Sequence, residues 1–283
     1  MLTLERVTSY RATTYRTSLD LRVKTKEEAL EHVNARGFVM FWPIKGLEMP
    51  SLWAAVAGDR PVADEHDDPG MVTWGWKDSL LGARRWYYAK VLRRKATIIS
   101  LDVVPAFYAL SENFGSPEED YLYQYRDGAM TAEAKVIYEA LLQEGPLHTI
   151  ALRRATSMSD TASGYRFNRG LEELQSDFKI MPVGVAEAGT WNYAFIYECV
   201  HRHHPELLER ARAVTMSAAQ QHLLALYMRS VGAVTLGDIA KVFGWPKAEI
   251  EKTVNRLVED GSLVRGLEIA GQKGEWLALT ELL

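Results

Sequence analysis

Residues Thr131 to His204 carry the pattern that most limits the fold. The run TAEAKVIYEALLQEGPL places Ala134, Ile137, Tyr138, Leu141 and Leu142 at helical spacing, and Gly145-Pro146 stops the helix. A second helix is expected from about Leu147 to Ala155, followed by a Ser/Thr/Asp-rich loop, MSDTASG. A third, YRFNRGLEELQSD, sets Phe167, Leu171 and Leu174 on one face and leaves Arg166 and Arg169 off it. The period then falls to two, and FKIMPVGVAEAGTWNYAFIYECV reads as two strands around a turn at Glu187–Thr190. Three helices and a hairpin in that order predict a winged helix, a fold that lays its third helix in a DNA groove.

The pattern starts again after His204. Pro205–Val214 reads as a connecting helix and Ala218–Arg229 as the first helix of another copy. VTLGDIAKVFG fits a second helix, and WPKAEIEKTVNRLVEDG a third with Pro246 in its first turn. SLVRGLEIAGQKGEWLALT alternates like a two-stranded wing. The third helix carries Glu249, Glu251, Glu259 and Asp260 beside Lys247, Lys252 and Arg256. Such a mixture attracts phosphate poorly, so packing or protein contact is the expected role of this copy.

Upstream, Met1–Lys24 holds seven Thr or Ser and little periodicity, as an arm or one irregular strand would. Thr25 is placed to cap a helix, TKEEALEHVNARG, that stops at Gly37. The apolar strip FVMFWPIKG follows, then a short helix over Pro50–Ala57. Gly58–Gly70 is an acidic loop with five carboxylates against one arginine. Trp74 and Trp76 lead into KDSLLGARRWYYAKVLRRK, read as one long helix with seven basic residues and one acid. A strand, ATIISLD, a helix, VVPAFYALSEN, and a connection over Gly115–Gly128 complete the first unit.

Composition bounds what this can be. A chain of 283 residues suggests two or three domains, and its 47% hydrophobic content can bury sizeable cores. There is no apolar run of about 18 residues and no leader pattern, so a cytoplasmic protein is expected. The one cysteine, Cys199, excludes an intrachain disulfide and fits a reducing compartment. Thirty-seven acids outnumber 33 basic residues, for a net charge of −4, so DNA contact has to rest on local patches.

The central region and its surroundings resemble the AlkZ/YcaQ-type DNA glycosylases. The resemblance runs through VIYEALLQEGPL, FNRGLEELQSDFKIMPVG and WNYAFIYECVHRHHP, and upstream through YYAKVLRRKATIISLDVVP, over roughly residues 30 to 210. It implies tandem winged helices and an ancestry in excising alkylated or cross-linked bases. The family's Gln-Φ-Asp or Gln-Φ-Gln motif falls, by position, on Met40-Phe41-Trp42. A hydrolytic glycosylase needs a carboxylate or amide there to aim and deprotonate water and to steady the sugar cation. Methionine sulfur accepts only weakly, and an indole N–H accepts nothing. No catalytic residue is therefore assigned, and Glu48 and Asp102 stand as candidates for relocated acids.

Each remaining feature has a plain reading beside the functional one. Met40, Phe41, Trp42, Trp53, Trp74 and Trp76 line a base pocket or form ordinary core. Arg84, Arg85, Arg93, Arg94 and Lys95 track phosphates or cover a solvated helix face. Arg153, Arg154, Arg166 and Arg169 surround the reading helix and are assigned to DNA. His201, His203 and His204 invite a zinc reading, but no second ligand group stands at metal spacing, and a surface cluster is preferred. Phosphate-binding glycine loops are absent, and no metal or cofactor is assigned.

The sequence thus predicts a mainly α protein with small β-hairpin wings, an α+β chain of three tandem winged helix-turn-helix domains. Its units are an N-terminal arm (1–24), a first winged-helix-like domain (25–128), a central one (129–204) and a C-terminal one (205–283). Three functions compete. One is a protein that binds double-stranded DNA, intact or damaged, without base excision. The second is an active glycosylase with relocated carboxylates, and the third a protein-interaction scaffold or transcriptional regulator. No membrane is implied, and oligomeric state is not legible.

Overall fold

The computed structural model describes residues 2–62, 67–113, 115–189 and 192–283. The chain opens with α1 (Leu4–Thr14), and one succession then occurs three times: helix, short strand, two helices, two strands. The first copy is α2 (Lys26–Arg36), β1 (Phe38–Met40), α3 (Leu52–Ala57), α4 (Val72–Gly82), β2 (Tyr87–Lys90) and β3 (Ala96–Ile99). After α5 (Val104–Tyr108) and α6 (Pro117–Arg126) comes the second. It is built from α7 (Ala132–Glu144), β4 (Leu147–His148), α8 (Thr149–Ala155), α9 (Gly164–Ser176), β5 (Ile180–Ala186) and β6 (Ala194–Cys199). Helices α10 (Val200–His203) and α11 (Leu207–Arg212) lead to the third. That copy has α12 (Met216–Val231), β7 (Ala233–Thr235), α13 (Leu236–Phe243), α14 (Lys247–Glu259), β8 (Leu263–Leu267) and β9 (Trp276–Leu279). In each, the first strand pairs antiparallel with the last: β1-β3-β2, β4-β6-β5 and β7-β9-β8. This is winged-helix architecture in tandem. Among the described residues, no helix is long and apolar enough to cross a membrane.

The same local chemistry starts and stops each leading helix. Thr25, Thr131 and Thr215 cap α2, α7 and α12, their hydroxyls accepting from the N–H groups of Glu28, Ala134 and Ala218. Gly37, Gly145 and Gly232 end them with φ of 82°, 81° and 75°. A residue with a Cβ would be strained there by about 1–2 kcal/mol, so glycine turns the chain into the following strand.

The second copy encloses its own core around Tyr138, Leu141, Phe167 and Leu174. The first and third share one. Phe38 of β1 meets Phe243 of α13 with ring centroids 6.0 Å apart. Gly37 lies so close to α12 that a Cβ would stand 2.9 Å from Leu226 Cδ1. Helix α1 lies on α12, and Arg11 donates to the carbonyls of Val231 and Ala233 at 3.0 and 2.7 Å.

Four local expectations are corrected. Residues 77–95 are not one helix: α4 ends at Gly82, and β2, a tight turn and β3 follow. Arg84, Arg93 and Arg94 have φ of 51°, 54° and 55°, which no continuous helix contains. The aromatic stretch Trp86-Tyr87-Tyr88 prefers a pleated, buried setting, and pairing with Ile98 and Ile99 supplies it. The Met1–Lys24 segment is no strand, because α1 occupies much of it; only Val7 of that helix is buried, which leaves no apolar period to read. The Gly115–Gly128 connection contains α6, started by Pro117. The helix expected from Leu147 begins at Thr149, since Leu147 and His148 pair with Tyr197 and Ile196. Of the expected acidic loop and second wing turn, Asp64, Glu65 and Thr190 lie outside the described residues.

Candidate nucleic-acid interface

The Met40-Phe41-Trp42 strip, where the family motif is expected, lies in packed core. Met40 is 0% exposed, pairs with Thr97 across the sheet and donates its N–H to the Pro50 carbonyl at 2.9 Å. Phe41 and Trp53 are fully buried. Trp42, half-buried, packs edge-on against Phe41 and Trp74 at 4.8 and 5.7 Å. Beside them the Lys77 ammonium stands 4.5–5.9 Å from the ring centres of Phe41, Trp74, Tyr88, Tyr193 and Phe195. It donates to the Tyr193 hydroxyl at 2.8 Å and to the Asp78 carboxylate. Burial lowers the Lys77 pKa, and the bond to Asp78 opposes that. Burial first, and Asp78 second, hold the Tyr193 phenol above its usual range. The chain's own cation therefore occupies the space among these rings. Sequence alone marks Lys77 only as one basic residue on an aromatic-rich helix, and Tyr193 not at all.

The two candidate relocated acids are held apart by different partners. Glu48 accepts from Arg11 Nη1 at 2.6 Å, on the side where α1 meets the third copy. The Asp102 side chain is 97% exposed and stands 3.7 Å from Arg210 Nη2.

Of the predicted basic residues, the five expected on one helix fall instead in two turns. Arg84 and Arg85 are exposed in the turn between α4 and β2, and Arg84 is among the charges that depress His203 and His204. Arg93, Arg94 and Lys95 form the turn between β2 and β3, which packs against α9 and α13. The remaining four stand on α8 and α9.

Helix α9 buries Phe167, Leu171 and Leu174, and Gly170 lets α7 approach so closely that a Cβ would lie 3.1 Å from the Ala134 nitrogen. Its opposite face shows Tyr165, Arg166, Asn168 and Arg169 to solvent. Towards its C-terminus the helix is covered by the first copy, where Lys90 bonds Glu172 at 2.7 Å and its backbone N–H bonds Gln175 at 3.1 Å. Arg153 turns inward as a brace, donating to the Met158 and Asp160 carbonyls with its guanidinium 5.4 Å from the Phe167 ring centre. Arg166 lies 3.3 Å from Glu133. Arg154 and Arg169 are exposed and pair with no described residue.

The third copy's reading helix differs. Arg265 of its wing binds Glu251 of α14 and Glu275 at 3.2 and 3.3 Å, so one acid of α14 is paired with its own hairpin. At the end of the second copy, burial pushes the His203 pKa down to about 4 and lowers those of His201 and His204. Among the described residues, no group of three or more His, Cys, Asp or Glu is arranged to hold a metal ion.

Comparison with known proteins agrees with the fold. The model of the AlkZ-related family matches residues 23–244. A comparison with curated proteins finds no match. Among solved structures, the Streptomyces sahachiroi DNA glycosylase AlkZ is similar, with a TM-score of 0.60 and 13% identity. That similarity covers 99% of this chain and 70% of AlkZ, and at such identity it bears on the fold.

Proposed function

The chain belongs to the AlkZ-related family, and from that premise we propose that it binds double-stranded DNA without excising bases. The observation that carries this reading is the chemistry at Met40 and Trp42. Neither offers the oxygen that base excision requires at the motif position, and Met40 is sealed in the core. Support for DNA contact comes from the exposed face of α9 and from the two cationic turns. Phosphate binding there releases counterions, so affinity falls as salt rises. Measuring duplex affinity by fluorescence anisotropy over a salt series tests this. No binding at low salt returns the protein to the scaffold reading.

Base excision by a relocated acid is favoured by one observation. Glu48 lines a cavity of about 410 Å³ with Arg11, Tyr15 and Asp59, a few positions from Trp42. Against it, Arg11 donates to Glu48 at 2.6 Å and ties that carboxylate to the helix junction.

A further inference from the structure

Tyr165 is 74% exposed, the most exposed aromatic side chain among the described residues. The next two, Tyr123 and Tyr125, are each covered by a cation: Arg126 lies 5.1 Å from the Tyr123 ring and Lys135 5.4 Å from that of Tyr125. Among the described residues, no ring, guanidinium or ammonium packs on Tyr165. The backbone that carries it is nonetheless braced. The chain entering α9 is fixed by the two Arg153 bonds and by the Ser163 N–H, which donates to Asp160 at 2.9 Å. Helical spacing sets Asn168 and Arg169 on the same face, with Arg166 adjacent and Arg154 exposed at the end of α8.

A bare ring on a braced helix, among cations, suits a ligand that is flat on one side and anionic beside it. Nucleotides have that combination, but a paired base shows a protein only its edges, because its faces are stacked on its neighbours. A base free of its pair offers the face. Building on the DNA-binding reading above, we propose that Tyr165 stacks on an unpaired base while Arg166 and Arg169 hold the flanking phosphates. The protein would then select DNA carrying an unpaired nucleotide over the same duplex fully paired.

The test uses the full-length protein and two duplexes of one sequence, one fully paired and one with a single unpaired 2-aminopurine. The wild type should bind the second at least about fivefold more tightly and quench its fluorescence. Tyr165→Ala should bring the affinity ratio to about one and abolish the quenching, while Tyr165→Phe retains both. Circular dichroism verifies that each variant is folded. Salt-dependent binding with no preference or no quenching in the wild type overturns the stacking role and leaves DNA binding standing. Persistence of both signals in Tyr165→Ala also overturns it. Absence of binding to either duplex at low salt overturns both readings.

Discussion

The Lys77 ammonium lies 2.8 Å from the Tyr193 hydroxyl, joining the third helix of the first winged helix to the wing of the second. Tyr193 also donates to Asp78 at 3.1 Å, so three polar groups satisfy one another inside a ring of aromatic side chains. This contact joins the first two copies beside those that Lys90 makes to Glu172 and Gln175.

Removing the cation should therefore cost stability. Lys77→Ala leaves a cavity among the rings and an unneutralised Asp78, and a loss of about 2–4 kcal/mol is expected in urea denaturation. Lys77→Met keeps the volume and places an apolar chain among aromatics, so its loss should be smaller by half or more. Equal stability of the alanine variant and the wild type would show that the pair does not hold the two copies together.

Arg11 should matter for a different reason. It satisfies the carbonyls of Val231 and Ala233 and the Glu48 carboxylate across the junction of the first and third copies. Arg11→Ala is expected to lower stability by about 2–3 kcal/mol through the acceptors left unpaired. A change of less than about 0.5 kcal/mol would mean that the shared core alone holds the junction.

The copies were legible where a helix buries one face against its own neighbours. Phe167, Leu171 and Leu174 show helical spacing in the sequence and lie in the second core, and Thr25 and Gly37 mark both ends of α2. Legibility failed where distant partners decide. The stretch after Gly82 has the charge of a solvated helix, but β3 draws it into a sheet. Helix α1 buries mainly Val7 and is held through Arg11, which no period reveals. The Lys77 cage depends on Tyr193, 116 positions away, so the aromatics were legible but not what fills the space among them.

Acid should destabilise the fold through its buried histidines. Burial pushes the His32 pKa down to about 3 and that of His203 to about 4, from an ordinary value near 6.5. Below 6.5 the unfolded chain takes up protons that the folded chain refuses, so stability falls as pH drops towards 4. The urea midpoint should decrease between pH 7 and pH 5, and His32→Leu should flatten that slope. A midpoint constant over this window would contradict the burial of neutral imidazoles.

The arginines of α8 and α9 should separate by role. Arg154→Ala with Arg169→Ala should weaken duplex binding and reduce the salt slope by about 2, with unfolding unchanged. Arg153→Ala should instead lower thermal stability, since that side chain braces the start of α9. A reversed pattern, with Arg153 governing the salt slope, would place the phosphate path elsewhere.

The most direct measurement is base release from alkylated duplex DNA by the unmodified full-length protein, at a salt concentration where binding is demonstrated. On the proposed placement of Met40 and Trp42 at the motif position, the expected result is bound DNA and no release above the spontaneous rate. Catalytic release that survives Met40→Ala and vanishes on Glu48→Gln or Asp102→Asn would contradict the proposal and identify the relocated acid.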